Sequence, residues 1–354
     1  MKIMEFKRPL VIAGPCSAES EEQILATAQA LAATGKVDIM RAGVWKPRTK
    51  PGNFEGVGAT ALPWLVKARE MTGLPVATEI ANSRHAESAL EYDIDVLWIG
   101  ARTAANPFSM QEVAEAIRDT EKMVFVKNPV NGDVDLWCGA VERLAACGVK
   151  NIGLIHRGFS GYGAGELRNA PMWHLALEMR RRMPDLPMLC DPSHICGCRQ
   201  YIAEVSQQAA DLNYYGLMIE SHINPDKAWS DAKQQLTPAA LDTLLDGIKW
   251  RAGESSSESY KTALLGLREQ IDSLDREILQ LLSERMNVAE QIGRIKREND
   301  VRILQASRWE DIVEHVLAQS HNLDLSEEFL HTMLDAVHVE SINRQNRVMN
   351  EGEE

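Results

Sequence analysis

Between residues 9 and 250, short apolar or β-branched runs recur at intervals that leave room for a helix in most of the gaps. They read LVIAG near 10, VDIMRAG near 37, PVATEI near 75, DVLWIGA near 95, MVFVKN near 123, KNIGLIHRG near 150, PMLCDPSH near 187 and GLMIES near 216. This alternation predicts an α/β fold, and its number and order suit a closed (β/α)8 TIM barrel, with a doubly wound open sheet as the alternative. Beyond the barrel stretch the strand signals stop. Apolar positions at Leu264, Leu267, Ile271, Leu274, Ile278 and Leu281, then Val288, Ile292 and Ile295, advance by threes and fours. They predict one long helix with a coiled-coil-like seam. The intervening GESSSESYK has no apolar period and suits a solvated linker. The expected division is therefore a barrel at 1–252, a linker at 253–261 and a small all-α helical domain at 262–354.

Composition narrows the function. The net charge of −13 over 354 residues argues against non-specific binding to nucleic acid or membranes, so anionic ligands need locally clustered Arg and Lys. No run of eighteen apolar residues occurs, and the opening MKIMEFKRPL is too short in apolar residues for a signal peptide. A cytosolic chain with reduced thiols is expected. The six cysteines (Cys16, Cys138, Cys147, Cys190, Cys196, Cys198) then form no disulfide framework. Cys196 and Cys198 beside Cys190 resemble half a zinc ribbon, but no second pair stands at the required spacing.

In a barrel of this kind the C-terminal strand ends carry the chemistry. Here they supply Cys16, Arg41, Glu79, Arg102, Lys127, Arg157, His194 and Glu220. Cys16, His194 and Glu220, with Asp231 in the loop WSDAKQQ, offer a thiolate, an imidazole and two carboxylates. That mixed set suits a borderline divalent ion: manganese first, with iron, cobalt or zinc as alternatives. Arg41, Lys46, Arg102, Lys127 and Arg157 form a cationic cluster in an acidic chain, whose natural ligand is a phosphate or carboxylate. His222 and His156 flank these groups and are expected to support them rather than ligate.

The motifs GPCSAES, RAGVWKPRTKPGNFEG, VKNP, HRG, DPSH, IESH and SDAKQQL resemble the type I β 3-deoxy-D-arabino-heptulosonate 7-phosphate (DAHP) synthases of the shikimate pathway, over residues 9 to about 250. The related octulosonate-phosphate synthases typically carry a KANRS-like segment where Lys46, Pro47, Arg48 and Thr49 stand here. The resemblance implies that phosphoenolpyruvate condenses with erythrose 4-phosphate. It implies Cys16, His194, Glu220 and Asp231 as metal ligands. Arg41, Lys46, Arg102, Lys127 and Arg157 become the phosphoenolpyruvate site, and Arg48 and Thr49 fall on the erythrose phosphate. Lys46 is expected to protonate the new alkoxide and Glu79 to aid the attacking water.

In the helical stretch an arginine, Arg285, occupies a seam position where an apolar residue is due. Lys296 follows eleven residues later, about 16 Å along the axis and on the same side, so the pair suits a small dianion. Leu330, Leu334 and Val337 form a second stripe that turns polar at Ser341 and Gln345. LREQIDSLDREILQLLSERMNVAEQIGRIK, followed twelve residues on by Arg308, resembles the all-helical chorismate mutases over 262 to about 350. The resemblance implies conversion of chorismate to prephenate without a cofactor. Arg268, Arg285, Lys296, Arg308, Ser341 and Gln345 become substrate contacts, with Lys296 and Gln345 donating to the ether oxygen. Arg268 lies seventeen residues, about 25 Å, before Arg285 and on another face, so it must serve a partner subunit's site, which implies a homodimer. Gln305 and Trp309 depart from the family's acidic residues at those positions. The first strand begins near residue 10, which leaves no room for an N-terminal regulatory domain. The helical domain is therefore expected to mediate feedback by prephenate. The rival reading is a helical module that only dimerises the chain and senses a ligand.

Overall fold

The computed structural model describes residues 9–46, 52–161, 165–304, 312, 314–316, 318 and 324–350. The chain divides into two compact units after Gly253. In the first, parallel strands β1 (Leu10–Gly14), β2 (Ile39–Arg41), β3 (Val76–Ile80), β4 (Val96–Ile99), β5 (Met123–Lys127), β6 (Ile152–His156), β7 (Met188–Cys190) and β8 (Gly216–Glu220) form a closed barrel in sequence order. β8 pairs back onto β1 from Leu10↔Gly216 to Gly14↔Glu220, which excludes the open-sheet alternative. Among the described residues this unit has ten α-helices: α1 (Glu21–Thr34), α2 (Leu62–Thr72), α3 (Ser83–Glu91), α4 (Ala101–Ala104), α5 (Pro107–Ala116), α6 (Val134–Ala146), α7 (Trp173–Arg182), α8 (Pro192–Cys196), α9 (Ile202–Asp211) and α10 (Pro238–Gly247). Side-chain caps start many of them: Ser20 for α1, Asn82 for α3, Asp133 for α6 and Asp191 for α8 each accept a first-turn N–H.

The strand alternation places the site. Leu10, Ile12, Ile39, Ala77, Val96, Trp98, Met123, Phe125, Ile155, Leu189 and Met218 fill the barrel interior with Tyr215. The opposite parity packs with the helices in a second apolar layer. Advancing the interior parity by steps of two towards the C-terminal ends reaches Cys16, Arg41, Glu79, Lys127, Arg157, Asp191 and Glu220. The same period of two that seals the barrel with apolar side chains thus delivers charged ones to its mouth.

The second unit contains α11 (Glu258–Glu298) and α12 (Glu327–Asn350). Ser257 caps α11 by accepting from Tyr260 N–H, so the helix begins within the stretch expected to be linker. α11 meets α12 through Met286, Ala289 and Gly293 rather than through the expected seam. Gly293 permits the close approach, since a Cβ there would stand 3.1 Å from Gln345 Cα. The seam residues Leu267, Ile271, Leu274, Ile278 and Leu281 remain 53–64% exposed in the single chain. No helix among the described residues is long and apolar enough to cross a membrane.

Candidate active sites

At the barrel mouth Cys16, Glu220 and Asp231 bring ligand atoms within 4.8 Å of one another. Cys16 Sγ lies 3.2 Å from Asp231 Oδ2. Glu220 is fully buried; its Oε2 accepts from Gln234 Nε2 at 2.7 Å, while its Oε1 has no hydrogen-bond partner among the described residues. That free oxygen faces Arg41 Nη1 at 3.4 Å and His194 Nε2 at 3.8 Å. His194 turns its other nitrogen, Nδ1, to Asp191 Oδ2 at 2.8 Å, and burial drives its pKa down. A ring whose Nδ1 is held by a carboxylate while Nε2 turns to the site is the arrangement metal-binding histidines adopt. An orphaned buried carboxylate oxygen, a thiol and a second carboxylate within 4.8 Å fit a borderline divalent ion, and His194, which is not part of that cluster, stands 3.8 Å from the orphaned oxygen.

The charges hold this arrangement. Burial, reinforced by Glu220, pushes the Cys16 thiol up to about 12, so a bound metal must displace its proton. Burial also opposes ionisation of Glu220 and Asp231, but His194 and the neighbouring cations outweigh it and keep both below the ordinary carboxylate range. For Lys46 burial favours the neutral amine, yet Cys16 and Glu79 raise its pKa, so the ammonium persists.

The cationic cluster lines the same mouth. Arg41 is buried over the Trp98 ring, 4.7 Å from its centroid, and donates from Nη2 to Cys16 O at 3.0 Å. Lys127 Nζ donates to Asp191 Oδ2 at 2.7 Å. Arg157 donates to Asn169 Oδ1 at 2.9 Å, and burial pushes its pKa down to about 10. Arg102 stands in α4, exposed, beyond β4. Glu79 accepts from Trp98 Nε1 at 3.1 Å. Its Oε1 occupies space that only glycine leaves at position 100, because a Cβ there would lie 2.2 Å away. Arg48 and Thr49 lie outside the described residues. His222 and His156 take supporting positions: His222 Nε2 faces Glu19 Oε2 at 3.5 Å, and His156 bridges Tyr214 and Pro171 O. All six cysteines are free.

Several residues of this site were not singled out in the sequence. Asp191 couples Lys127 to His194. Gln234 holds Glu220, and Gln235 Oε1 accepts from Cys16 N–H at 2.9 Å. Each falls inside a motif, DPSH or SDAKQQL, which was the available signal; their pairing across the fold was not.

In the helical unit a cavity of about 420 Å³ is lined by Arg285, Lys296, Ser341 and Gln345, with His338 and Ile342 besides. Arg285 donates to Ser341 Oγ at 2.6 Å, and Lys296 donates to Ile303 O. Gln345 is buried, and its Oε1 has no partner among the described residues. Arg268 is an exposed position of α11, away from this cavity. Arg308, Gln305 and Trp309 lie outside the described residues.

A closed barrel with acidic, thiol and imidazole groups beneath a cationic rim defines an enzyme for anionic, phosphorylated substrates. The chain belongs to the DAHP synthetase I family, which it matches over residues 4–255, and residues 267–346 match the family described as chorismate mutase type II. It carries a synthase domain, a transferase, followed by a mutase domain, an isomerase. It is 33% identical to a phospho-2-dehydro-3-deoxyheptonate aldolase from Thermotoga maritima over 239 residues, 68% of each chain. A 2-dehydro-3-deoxyphosphooctonate aldolase from Magnetococcus marinus is 28% identical over 261 residues, covering 68% of this chain and 86% of the relative. A crystal structure of a Thermotoga maritima DAHP synthase superimposes with a TM-score of 0.60 at 30% identity, over 67% of both chains. A truncated form of such a synthase from the same organism gives 0.58 at 29%, over 67% of this chain and 84% of that one.

Proposed function

We propose that the barrel condenses phosphoenolpyruvate with erythrose 4-phosphate and that the helical domain rearranges chorismate to prephenate. The observation that carries the first half is the convergence of Cys16, Glu220 and Asp231 within 4.8 Å beneath buried cations. Cys16, His194, Glu220 and Asp231 would hold a divalent ion, manganese first. Bound there, it supplies Lewis acidity to the aldehyde. Arg41, Lys46, Arg102, Lys127 and Arg157 bind and orient phosphoenolpyruvate, so that its methylene carbon meets the aldehyde carbon and the new C–C bond forms. Lys46, whose ammonium persists despite burial, donates a proton from Nζ to the new alkoxide. Glu79 orients the water that adds to the cationic carbon; the adduct expels inorganic phosphate and becomes a ketone. Arg48 and Thr49 take the phosphate of the aldose.

In the helical domain Arg285, Arg308 and Ser341 hold the carboxylates of chorismate in its compact conformer. Lys296 and Gln345 donate to the ether oxygen as negative charge grows there. The buried oxygen of Gln345, without a partner among the described residues, supports reading the cavity as a ligand site, which a purely dimerising module would not need. The exposed apolar seam of α11 calls for a second copy of the chain, and Arg268 on the same helix would enter the partner's cavity. Prephenate, retained in that cavity, would inhibit the synthase. Cytosolic residence suits the free thiols. The test is to assay both products on purified full-length chain with manganese present. Absence of phosphate release from the two barrel substrates, or of prephenate from chorismate, would contradict the corresponding half.

A further inference from the structure

One buried carboxylate near the mouth belongs to none of the groups above. Glu19 Oε1 accepts from Ser17 Oγ at 3.2 Å and from Trp229 N–H at 2.7 Å, and its Oε2 faces His222 Nε2 at 3.5 Å. His222 Nδ1 accepts from Asn224 N–H at 2.8 Å, which leaves the proton of a neutral ring on Nε2, the nitrogen that lies nearer Glu19. All four side chains of this network, Ser17, Glu19, His222 and Ser230, are less than 8% exposed.

The three groups around Glu19 come from three separate segments. Ser17 follows Cys16, His222 stands two residues after Glu220, and Trp229 stands two residues before Asp231. Ser17 Oγ also hydrogen-bonds Ser230 Oγ, which ties the first segment to the third a second time. The third segment turns sharply at Asp231, which has φ 44 in the left-handed region.

We propose that Glu19 is the positioning residue of the metal centre: a single carboxylate that keeps the segments of Cys16, Glu220 and Asp231 in register. This rests on the metal reading of those residues. It also gives a role to the second half of the motif GPCSAES, where Ser17 donates to Glu19.

The probe is cobalt(II) alone, titrated into chelator-stripped full-length chain and read by its thiolate charge-transfer and ligand-field bands. Glu19→Gln is nearly isosteric, but it removes the negative charge that faces His222 and replaces one acceptor oxygen of the network with a donor. It is expected to weaken cobalt binding about 10- to 100-fold and to alter the ligand-field bands. The melting temperature of the metal-free protein and chorismate turnover should stay at parent values. Ser17→Ala, which removes one donor to Glu19 with little loss of packing, should shift cobalt affinity in the same direction and decides the matter if Glu19→Gln does not fold. Parent-like affinity and spectra in the folded variants would overturn the proposal. So would a loss of affinity matched by a lower melting temperature of the metal-free chain, which would make Glu19 a residue of folding alone. A parent chain without the thiolate band would instead overturn the metal reading itself.

Discussion

Buried titratable groups at the barrel tie stability to pH in a direction the structure fixes. Burial pushes His156 down to about 4, with its ring between Tyr214 and Pro171 O. The unfolded imidazole binds a proton at an ordinary value near 6.5, so its contribution to stability is complete above that pH and is lost as pH falls towards 4. The loss amounts to on the order of 3 kcal/mol. Melting temperatures measured between pH 7 and 4 should fall less steeply for His156→Phe than for the parent; parallel slopes would contradict the assignment. At the mouth, Gly100→Ala places a Cβ against Glu79 Oε1 and should cut synthase turnover about a hundred-fold through displacement of that carboxylate, with chorismate turnover unchanged. Phosphate release and prephenate formation measured on one sample check both. The strand-end residues were legible from sequence because alternation along each strand continues past the apolar plug into the charged layer. Asp191, Gln234, Gln235 and Glu19 were not, since each acts through a partner 14 to 219 residues away that only the folded barrel and its loops bring near.

Among elements, α11 illustrates what a periodic pattern conveys and what it withholds. The steps of three and four through Leu267, Ile271, Leu274, Ile278 and Leu281 give the helix and its apolar face. They do not say what covers that face. Within the chain α12 takes a different face, at Met286, Ala289 and Gly293, where small residues let the helices approach. Hydrophobic periodicity weights large side chains and overlooks a contact built on Ala and Gly. Gly293→Val should force α11 and α12 apart at Gln345, destabilise the helical unit by about 1–3 kcal/mol and abolish most mutase activity. Denaturant melts followed at the helical signal, alongside chorismate turnover, measure both. A variant with parent stability and turnover would show that the contact at Gln345 is not close in solution.

At the scale of the whole molecule, the proposed mutase cavity is shared between two chains. Arg268→Ala and Arg285→Ala should each lose most mutase activity, the second by a hundred-fold or so for a charge-assisted contact worth about 2–3 kcal/mol. Mixed after unfolding and refolding together, the two variants should recover part of it, because some dimers then contain one intact cavity. No recovery, or a monomer by sedimentation, would contradict the shared site. Prephenate titrated into the full-length synthase assay should inhibit partially, since a ligand shifts an equilibrium only by its differential affinity for two states. A chain ending near Gly253 should escape that inhibition; equal inhibition of both would place the effect in the barrel. The most direct test of the central claim removes metal and follows both reactions in the same tube. Chelator-treated full-length chain should release no phosphate from phosphoenolpyruvate and erythrose 4-phosphate, regain release on addition of manganese, and convert chorismate at the parent rate throughout. Full phosphate release from metal-free protein, or a mutase that fails with the synthase, would contradict it.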